Sequence, residues 1–315
     1  MADLGLTDIL ATRLADAGML REFPMRVPRS FARRMRHGDP NDPLLLQVLP
    51  LAAEMLAAAG FVDDPNHEQH AQRAPGLLQK YQGRALLITT GACGVHCRYC
   101  FRRAFPYADH ADDAGRWTSA LDTVAADDSI EELILSGGDP LTLHNARLQT
   151  LSTRLLPVRH LRRLRIHTRQ PIVLPSRVDA GLLAWLTSLP WSVSIVLHCN
   201  HANEIDSEVA AACAQLRASG AVLLNQSVLL AGINDNADTL RALSQRLFDC
   251  GVLPYYLHLL DPVRGAAHFA VDEARGIELM DQLAGTLPGY LLPRLAREIP
   301  GRKAKTVISA GLGRG

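Results

Sequence analysis

Cys93, Cys97 and Cys100 fall within eight residues of one another, in the segment Gly91-Ala92-Cys93-Gly94-Val95-His96-Cys97-Arg98-Tyr99-Cys100. Thiolates suit soft metals and iron-sulfur clusters, and Cys-x3-Cys-x2-Cys spacing lets three of them wrap one corner of a [4Fe-4S] cubane. The missing fourth ligand leaves one iron open to a substrate. Zinc is the alternative, since Cys and His both bind it and His96 lies inside the motif, but a structural zinc site needs four closed ligands. His96 is too near in sequence to complete a tetrahedron comfortably, and no second Cys-x2-Cys or His-x3-His is present. A cluster of buried cysteines without metal is the remaining reading. Cys199, Cys213 and Cys250 are scattered singly, so the crowding points to metal ligation and not to a disulfide framework.

Other residues able to do chemistry recur at one kind of position. Ser136 to Asp139, His167 and Arg169, His198, Gln226 and Asp261 each end, or closely follow, a short apolar run. Those runs are ALLITT (85–90), ELILSG (132–137), LRIHT (164–168), VSIVLH (193–198), AVLLNQS (221–227) and PYYLHLL (254–260). Periodic stretches over 182–188, 204–219 and 237–250 lie between them, so strands alternate with helices as in parallel βα units. Barrel active sites are assembled at the C-terminal ends of the strands, which is where these polar residues fall. The expected fold class is α/β: a partial (β/α)6 TIM-type barrel over 81–315, with an N-terminal helical extension over 1–80. In the extension the sequence predicts an amphipathic opening (6–17), an Arg-rich stretch (28–36), a turn at DPNDP (39–43) and an apolar run (44–59).

Bulk properties exclude several classes of function. The chain has 315 residues, 48% of them hydrophobic, enough for a sizeable core without disulfides. Lys and Arg number 33 against 32 Asp and Glu, so no overall field draws it to nucleic acid or an anionic membrane. The N-terminus is polar and acidic, and no run is long enough to span a bilayer. A soluble, cytoplasmic protein without nucleic-acid or membrane partners is expected.

The cysteine spacing after a first strand, with Leu135-Ser136-Gly137-Gly138-Asp139-Pro140 ending the second, resembles the radical S-adenosylmethionine superfamily. Longer stretches narrow this to the lysine 2,3-aminomutase family: CRYCFRR (97–103), LSGGDPL (135–141), RIHTRQPIVLPSRV (165–178), HCNHANEI (198–205), NQSVLLAGIND (225–235) and the 261–269 segment. The resemblance implies a [4Fe-4S] cluster on Cys93, Cys97 and Cys100, with S-adenosyl-L-methionine on its open iron. Ser136, Gly137, Gly138, Asp139 and His198 are then the S-adenosylmethionine-binding residues, the Asp139 carboxylate receiving the methionine ammonium. Pyridoxal 5'-phosphate is the second implied cofactor, with Lys305 as its catalytic amine, Gln226 at its ring and Arg84 at its phosphate.

Lys303 rivals Lys305, because the glycine-rich approach to the family's lysine is here Pro300-Gly301-Arg302-Lys303-Ala304-Lys305. For an L-lysine substrate, the resemblance gives Arg102 to the carboxylate, and Asp261 and Glu298 to the distal ammonium. Glu298 stands where the family has an aspartate, which adds a methylene. Asn236 stands where larger members have a zinc cysteine, so no structural zinc is expected. The resemblance further implies conversion of L-α-lysine to β-lysine and a reducing partner such as flavodoxin or ferredoxin. The short form and the RLAREIPGRKAKT tail (294–306) match the branch that serves elongation factor P and its lysyl-transferring enzyme.

Overall fold

The apolar runs form strands in a single sheet, and the periodic stretches between them form the connecting helices. The computed structural model describes residues 4–5, 23–107 and 116–308; the amphipathic opening expected over 6–17 lies outside them. The strands are β1 (Gln72–Ala74), β2 (Leu77–Tyr81), β3 (Arg84–Thr90), β4 (Glu132–Gly137), β5 (Arg163–Thr168), β6 (Ser192–Leu197), β7 (Val222–Val228), β8 (Leu253–His258), β9 (Arg294–Arg297) and β10 (Thr306–Val307). The crossover helices are α1 (Arg116–Ala126), α2 (Asn145–Leu155), α3 (Ala180–Ser188), α4 (Ser207–Ala218), α5 (Ala237–Asp249) and α6 (Glu273–Ala284).

Strand order in the sheet is chain order. Strands β3 to β9 pair in parallel, while β1 and β2 add antiparallel to the β3 edge and β10 adds antiparallel to β9. Among the described residues β1 and β10 do not pair with each other, so the sheet stays open. It is a partial barrel of six βα units, from β3 to α6, followed by a seventh parallel strand.

Local chemistry explains the elements. Every residue of β4 is buried, as a central parallel strand covered on both faces requires. Helix α5 buries Leu240, Leu243 and Leu247, a spacing that keeps them on one side against the sheet. Its N-cap is Asn236, whose side chain accepts from Thr239 N at 2.9 Å. Asp179 and Asp206 cap α3 and α4 in the same way. The largest apolar cluster joins the sheet to α1–α5 and includes Leu133, Ile166, Leu197 and Leu216. Burying one such side chain contributes roughly 2 kcal/mol.

The described part of the extension departs from its expected helical character. Residues 72–81 form β1 and β2, which lengthen the barrel sheet. The apolar run over 44–59 makes only a one-turn helix, Pro43–Leu46, and a 3-10 turn, Ala52–Met55. Pro50 breaks it, having no N–H to donate and disfavouring helical backbone at Leu49. The DPNDP turn is present, and buried Asp42 caps the helix by accepting from Leu44 N and Leu45 N, each at 2.9 Å. Among the described residues no helix is long and apolar enough to cross a membrane.

Candidate active site

A cavity of about 370 Å³ collects all the site residues singled out from the sequence, from Arg84 on β3 to Lys305 just before β10. The cysteines follow β3 and Lys305 precedes β10, at the other end of the strand order, and all four residues line this one cavity.

The cysteine loop leaves β3 and is pinned from outside and from below. Arg26 Nη1 donates to Cys93 O at 3.0 Å, and His96 N donates to Arg26 O at 3.0 Å. His96 does not line the cavity: its Nδ1 lies 2.6 Å from Pro24 O and its ring stacks on Phe23 at 4.9 Å. Arg98, wholly buried, forks onto Glu54 with Nε to Oε1 at 2.9 Å and Nη2 to Oε2 at 2.7 Å. Behind the loop, Arg169 Nη1 donates to Cys97 Sγ at 2.8 Å, and its Nη2 donates to Glu204 Oε2 at 2.9 Å and Gln47 Oε1 at 2.6 Å.

The donor set fits an iron-sulfur cluster. Cys93, Cys97 and Cys100 are free thiols, partly exposed toward the cavity. Among the described residues no three His, Cys, Asp or Glu side chains converge where a single ion would sit. A cluster makes no such demand, because each thiolate binds a different iron. Burial pushes the Cys93 and Cys100 thiols up, so ligation must release their protons. Small residues keep the loops in contact: a Cβ on Gly94 would lie 2.1 Å from Gln170 Oε1, and one on Gly138 would lie 2.3 Å from Ala92 O.

Asp139 lines the cavity, but its carboxylate is already occupied. Oδ1 accepts from Leu141 N and Thr168 Oγ1, and Oδ2 from Arg169 N and Gln170 N, at 2.7–3.1 Å. It ties the β4 loop to the β5 loop, whereas the sequence reading gave that carboxylate to a ligand ammonium. Burial raises its pKa, with these four donors opposing the shift. Ser136, Gly137 and Gly138 line the cavity beside it, with Gly137 O accepting from Arg102 Nη1 and Tyr107 Oη. Gly137 has φ +114 and no room for a Cβ, which would meet Thr90 O at 2.6 Å.

Lys305 points into the cavity, and Lys303 is exposed outside it. Lys305 Nζ donates to His258 Nε2 at 3.2 Å and sits 3.8 Å from Glu298 Oε2 and 5.3 Å above the Tyr256 ring. Burial lowers its pKa, and Glu298 and Asp261 only partly restore it. Burial also raises the Asp261 carboxyl, to about 6, against a hydrogen bond from Asn66 and the nearby Lys305 charge. Glu298 is shared: it accepts from Tyr81 Oη and lies 3.9 Å from Lys80 Nζ. Gln226 Nε2 donates to His198 Nε2 at 3.0 Å. Desolvation pushes His198 down to about 3, so it accepts as a neutral ring. His167, 5.9 Å from the His198 ring, has a buried Nε2 without a partner among the described residues.

The two arginines differ. Arg84 lies with its guanidinium 4.6 Å over the Tyr81 ring, at the cavity wall. Arg102 donates from Nε and Nη2 to Glu68 at 2.6 and 2.7 Å, and from Nη1 to Ser136 Oγ and Gly137 O at 3.0 and 3.2 Å. Those bonds leave it little capacity for a substrate carboxylate. Burial alone would raise Glu68, but Arg102 and Lys80 together hold its carboxyl below the usual range. Sequence reasoning missed Glu68, Lys80 and His258. The signal for His258 was present: His167, His198 and His258 stand at or just past the C-terminal ends of β5, β6 and β8.

Comparison with known proteins accords with this arrangement. The chain is 49% identical over 299 residues, 95% of its length and 87% of the relative's, to the L-lysine 2,3-aminomutase of Escherichia coli (strain K12). The chain belongs to the L-lysine 2,3-aminomutase family. It is 46% identical to the same-named protein of Haemophilus influenzae, covering 91% of this chain and 85% of that one, and 36% identical to that of Clostridium subterminale, covering 93% and 70%. No family model matches the chain. Among solved structures, a radical SAM methyltransferase from Sphaerobacter thermophilus gives a TM-score of 0.48 at 17% identity, over 70% of this chain and 68% of that one, too distant to add to the argument. As a member of this family the chain is an isomerase of the radical S-adenosylmethionine type, with the iron-sulfur cluster and S-adenosylmethionine that the type uses.

Proposed function

We propose that the protein is a pyridoxal-phosphate-dependent 2,3-aminomutase that converts L-α-lysine to β-lysine. The reading rests above all on one juxtaposition: a buried amine, Lys305, lines the same cavity as three free thiols on a Cys-x3-Cys-x2-Cys loop. Cys93, Cys97 and Cys100 would hold the cluster and leave one iron for S-adenosylmethionine, which Ser136, Gly137 and Gly138 of the cavity wall would help to hold. Together the cofactors supply hydrogen-atom abstraction and a π-system that spreads the unpaired electron while the amino group moves. Lys305 anchors pyridoxal phosphate. Its lowered pKa keeps a fraction of the amine uncharged and nucleophilic, and neutral His258 beside it holds the Nζ in place through a 3.2 Å hydrogen bond. Gln226 positions the cofactor ring and Arg84 the phosphate.

Asp261 receives the distal ammonium of lysine, because Glu298 already serves Lys80, Lys305 and Tyr81. Neutral His167, His198 and His258 line the cavity without adding charge that would repel that ammonium. A role for the β-lysine product in modifying elongation factor P, delivered by its lysyl-transferring enzyme, is supported by the 294–306 tail and by Glu298. The test is anaerobic incubation of reconstituted protein with labelled L-lysine, S-adenosylmethionine, pyridoxal phosphate and a reductant, followed by chiral product analysis. Labelled β-lysine is expected. Deoxyadenosine release without any β-amino acid would overturn the proposed substrate.

A further inference from the structure

We infer that the arginine-bearing segment over residues 26–36 is the docking surface for an acidic electron-transfer protein that reduces the cluster. This rests on the reading that Cys93, Cys97 and Cys100 carry one. The segment is the outer cover of the cysteine loop. Arg26 donates to Cys93 O, His96 N donates to Arg26 O, and Arg98 Nη1 reaches Phe23 O at 2.8 Å. A protein bound there would lie against the backbone of the cluster ligands themselves.

The charge carried by this segment is one-signed. Arg26, Arg29, Arg33 and Arg36 are exposed, and residues 23–38 contain no Asp or Glu. The chain as a whole is only +1, so the patch is not general basicity. Arg34 alone turns inward, 3.5 Å from Asp206 and bonded to Ile172 O. Arg29 and Arg33 begin and cap the one-turn helix Arg29–Ala32, and four-residue spacing puts them on one face. Met25, 39% exposed, gives the patch an apolar contact. None of these residues lines the cavity, so their charge is not needed to hold the small molecules.

Clustered like charge beside a redox centre speeds encounter with an oppositely charged partner, and it does so through the on-rate. On docking, the donor's reduced group loses one electron and the cluster gains it; no bond forms or breaks. A near-neutral chain with this patch beside the cysteine loop favours a small acidic protein over nucleic acid.

The test uses the reconstituted full chain, with reduced flavodoxin as the protein probe and photoreduced deazariboflavin as a neutral one, and follows cluster bleaching by stopped flow. In the triple variant Arg29→Glu, Arg33→Glu, Arg36→Glu, the flavodoxin rate is expected to fall about tenfold or more at low salt and to lose its salt dependence. The deazariboflavin rate is expected to stay at the wild-type value. Arg33→Glu alone, checked by iron content, is expected to show a smaller fall in the same direction if the triple variant loses its cluster. Arg159→Glu with Arg162→Glu, at the opposite end of the barrel before β5, is expected to change nothing. Wild-type flavodoxin rates in the patch variants, or an equal loss in the distal variant, would overturn the docking surface while leaving the cluster reading intact. Wild-type protein that never acquires cluster absorbance would overturn both.

Discussion

Lys305 and Lys303 are two residues apart, yet the structure gives them different surroundings: one faces His258 and Glu298, the other solvent. Borohydride reduction of pyridoxal-loaded protein is therefore expected to fix the cofactor on Lys305. Lys305→Ala is expected to lose the trapped adduct and at least about a hundredfold in aminomutase rate, in line with loss of a covalent anchor. Lys303→Ala is expected to keep both, and mass mapping of the adduct to Lys303 would count against the assignment. Asp261 makes a prediction in pH. Its folded pKa of about 6 lies above the 3.8 of an ordinary aspartate, so the folded protein holds this proton more tightly than the unfolded chain does. The stability it contributes is fully present below pH 3.8 and is lost as pH rises through about 6. Binding of the lysine ammonium has the opposite sign, since it needs the carboxylate. KM for lysine is expected to rise about tenfold per unit below pH 6, and Asp261→Asn is expected to raise KM while flattening that dependence.

At the scale of elements, β4 was legible because it is buried on both faces, and ELILSG matches it residue for residue, while β5 and β7 were legible because buried residues alternate with half-buried ones along them. The edges were not. Strand β9 reads Arg-Leu-Ala-Arg, with only Leu295 and Ala296 buried, which resembles a solvated tail until β8 is beside it. β1 and β2 carry Gln, Arg and Lys for the same reason. In the site, the cysteine spacing and the Gly-Gly-Asp loop could be read as motifs, but Glu68 could not, because its pairing with Arg102 spans 34 residues and two elements.

The Gly-Gly-Asp loop also shows what a motif conceals: Asp139 is a tie between loops, and the glycine is the residue with no alternative. Gly138→Ala would drive its Cβ to within 2.3 Å of the Ala92 carbonyl, which belongs to the backbone and cannot swing aside. A cost of about 1–3 kcal/mol is expected. The urea midpoint should fall, and S-adenosylmethionine-dependent deoxyadenosine release should fall with it. Gly289→Ala, where nothing lies within 4 Å, is the matched control and should leave both near wild type.

At the scale of the whole molecule, the apolar interior is divided so that the cysteine loop does not rest on the barrel's main core. Val95 and Cys97 pack with Phe31, Leu44, Leu45, Val48 and Leu49 of the extension and with Val173, whereas Leu133, Ile166 and Leu197 of the strands belong to a separate cluster. Arg98–Glu54 and Arg26–Cys93 add polar ties between the same two parts. Residues 27–51 and the cysteine loop therefore form one cooperative unit laid over the barrel, and a ligand that stiffens the loop stiffens that stretch as well. Cys97→Ala removes one cluster ligand and the sulfur that Arg169 meets, but takes nothing from the sheet–helix interface. Hydrogen exchange is expected to quicken over 27–51 and 93–107 in the variant, while β4 to β7 keep their protection. The thermal transition of the barrel is expected to move by no more than a few degrees, since the sheet core does not depend on metal as a zinc finger does. Deoxyadenosine release is expected to disappear. Loss of protection throughout β4 to β7 would show that the two cores unfold as one, and that the cluster ligands sustain the whole fold.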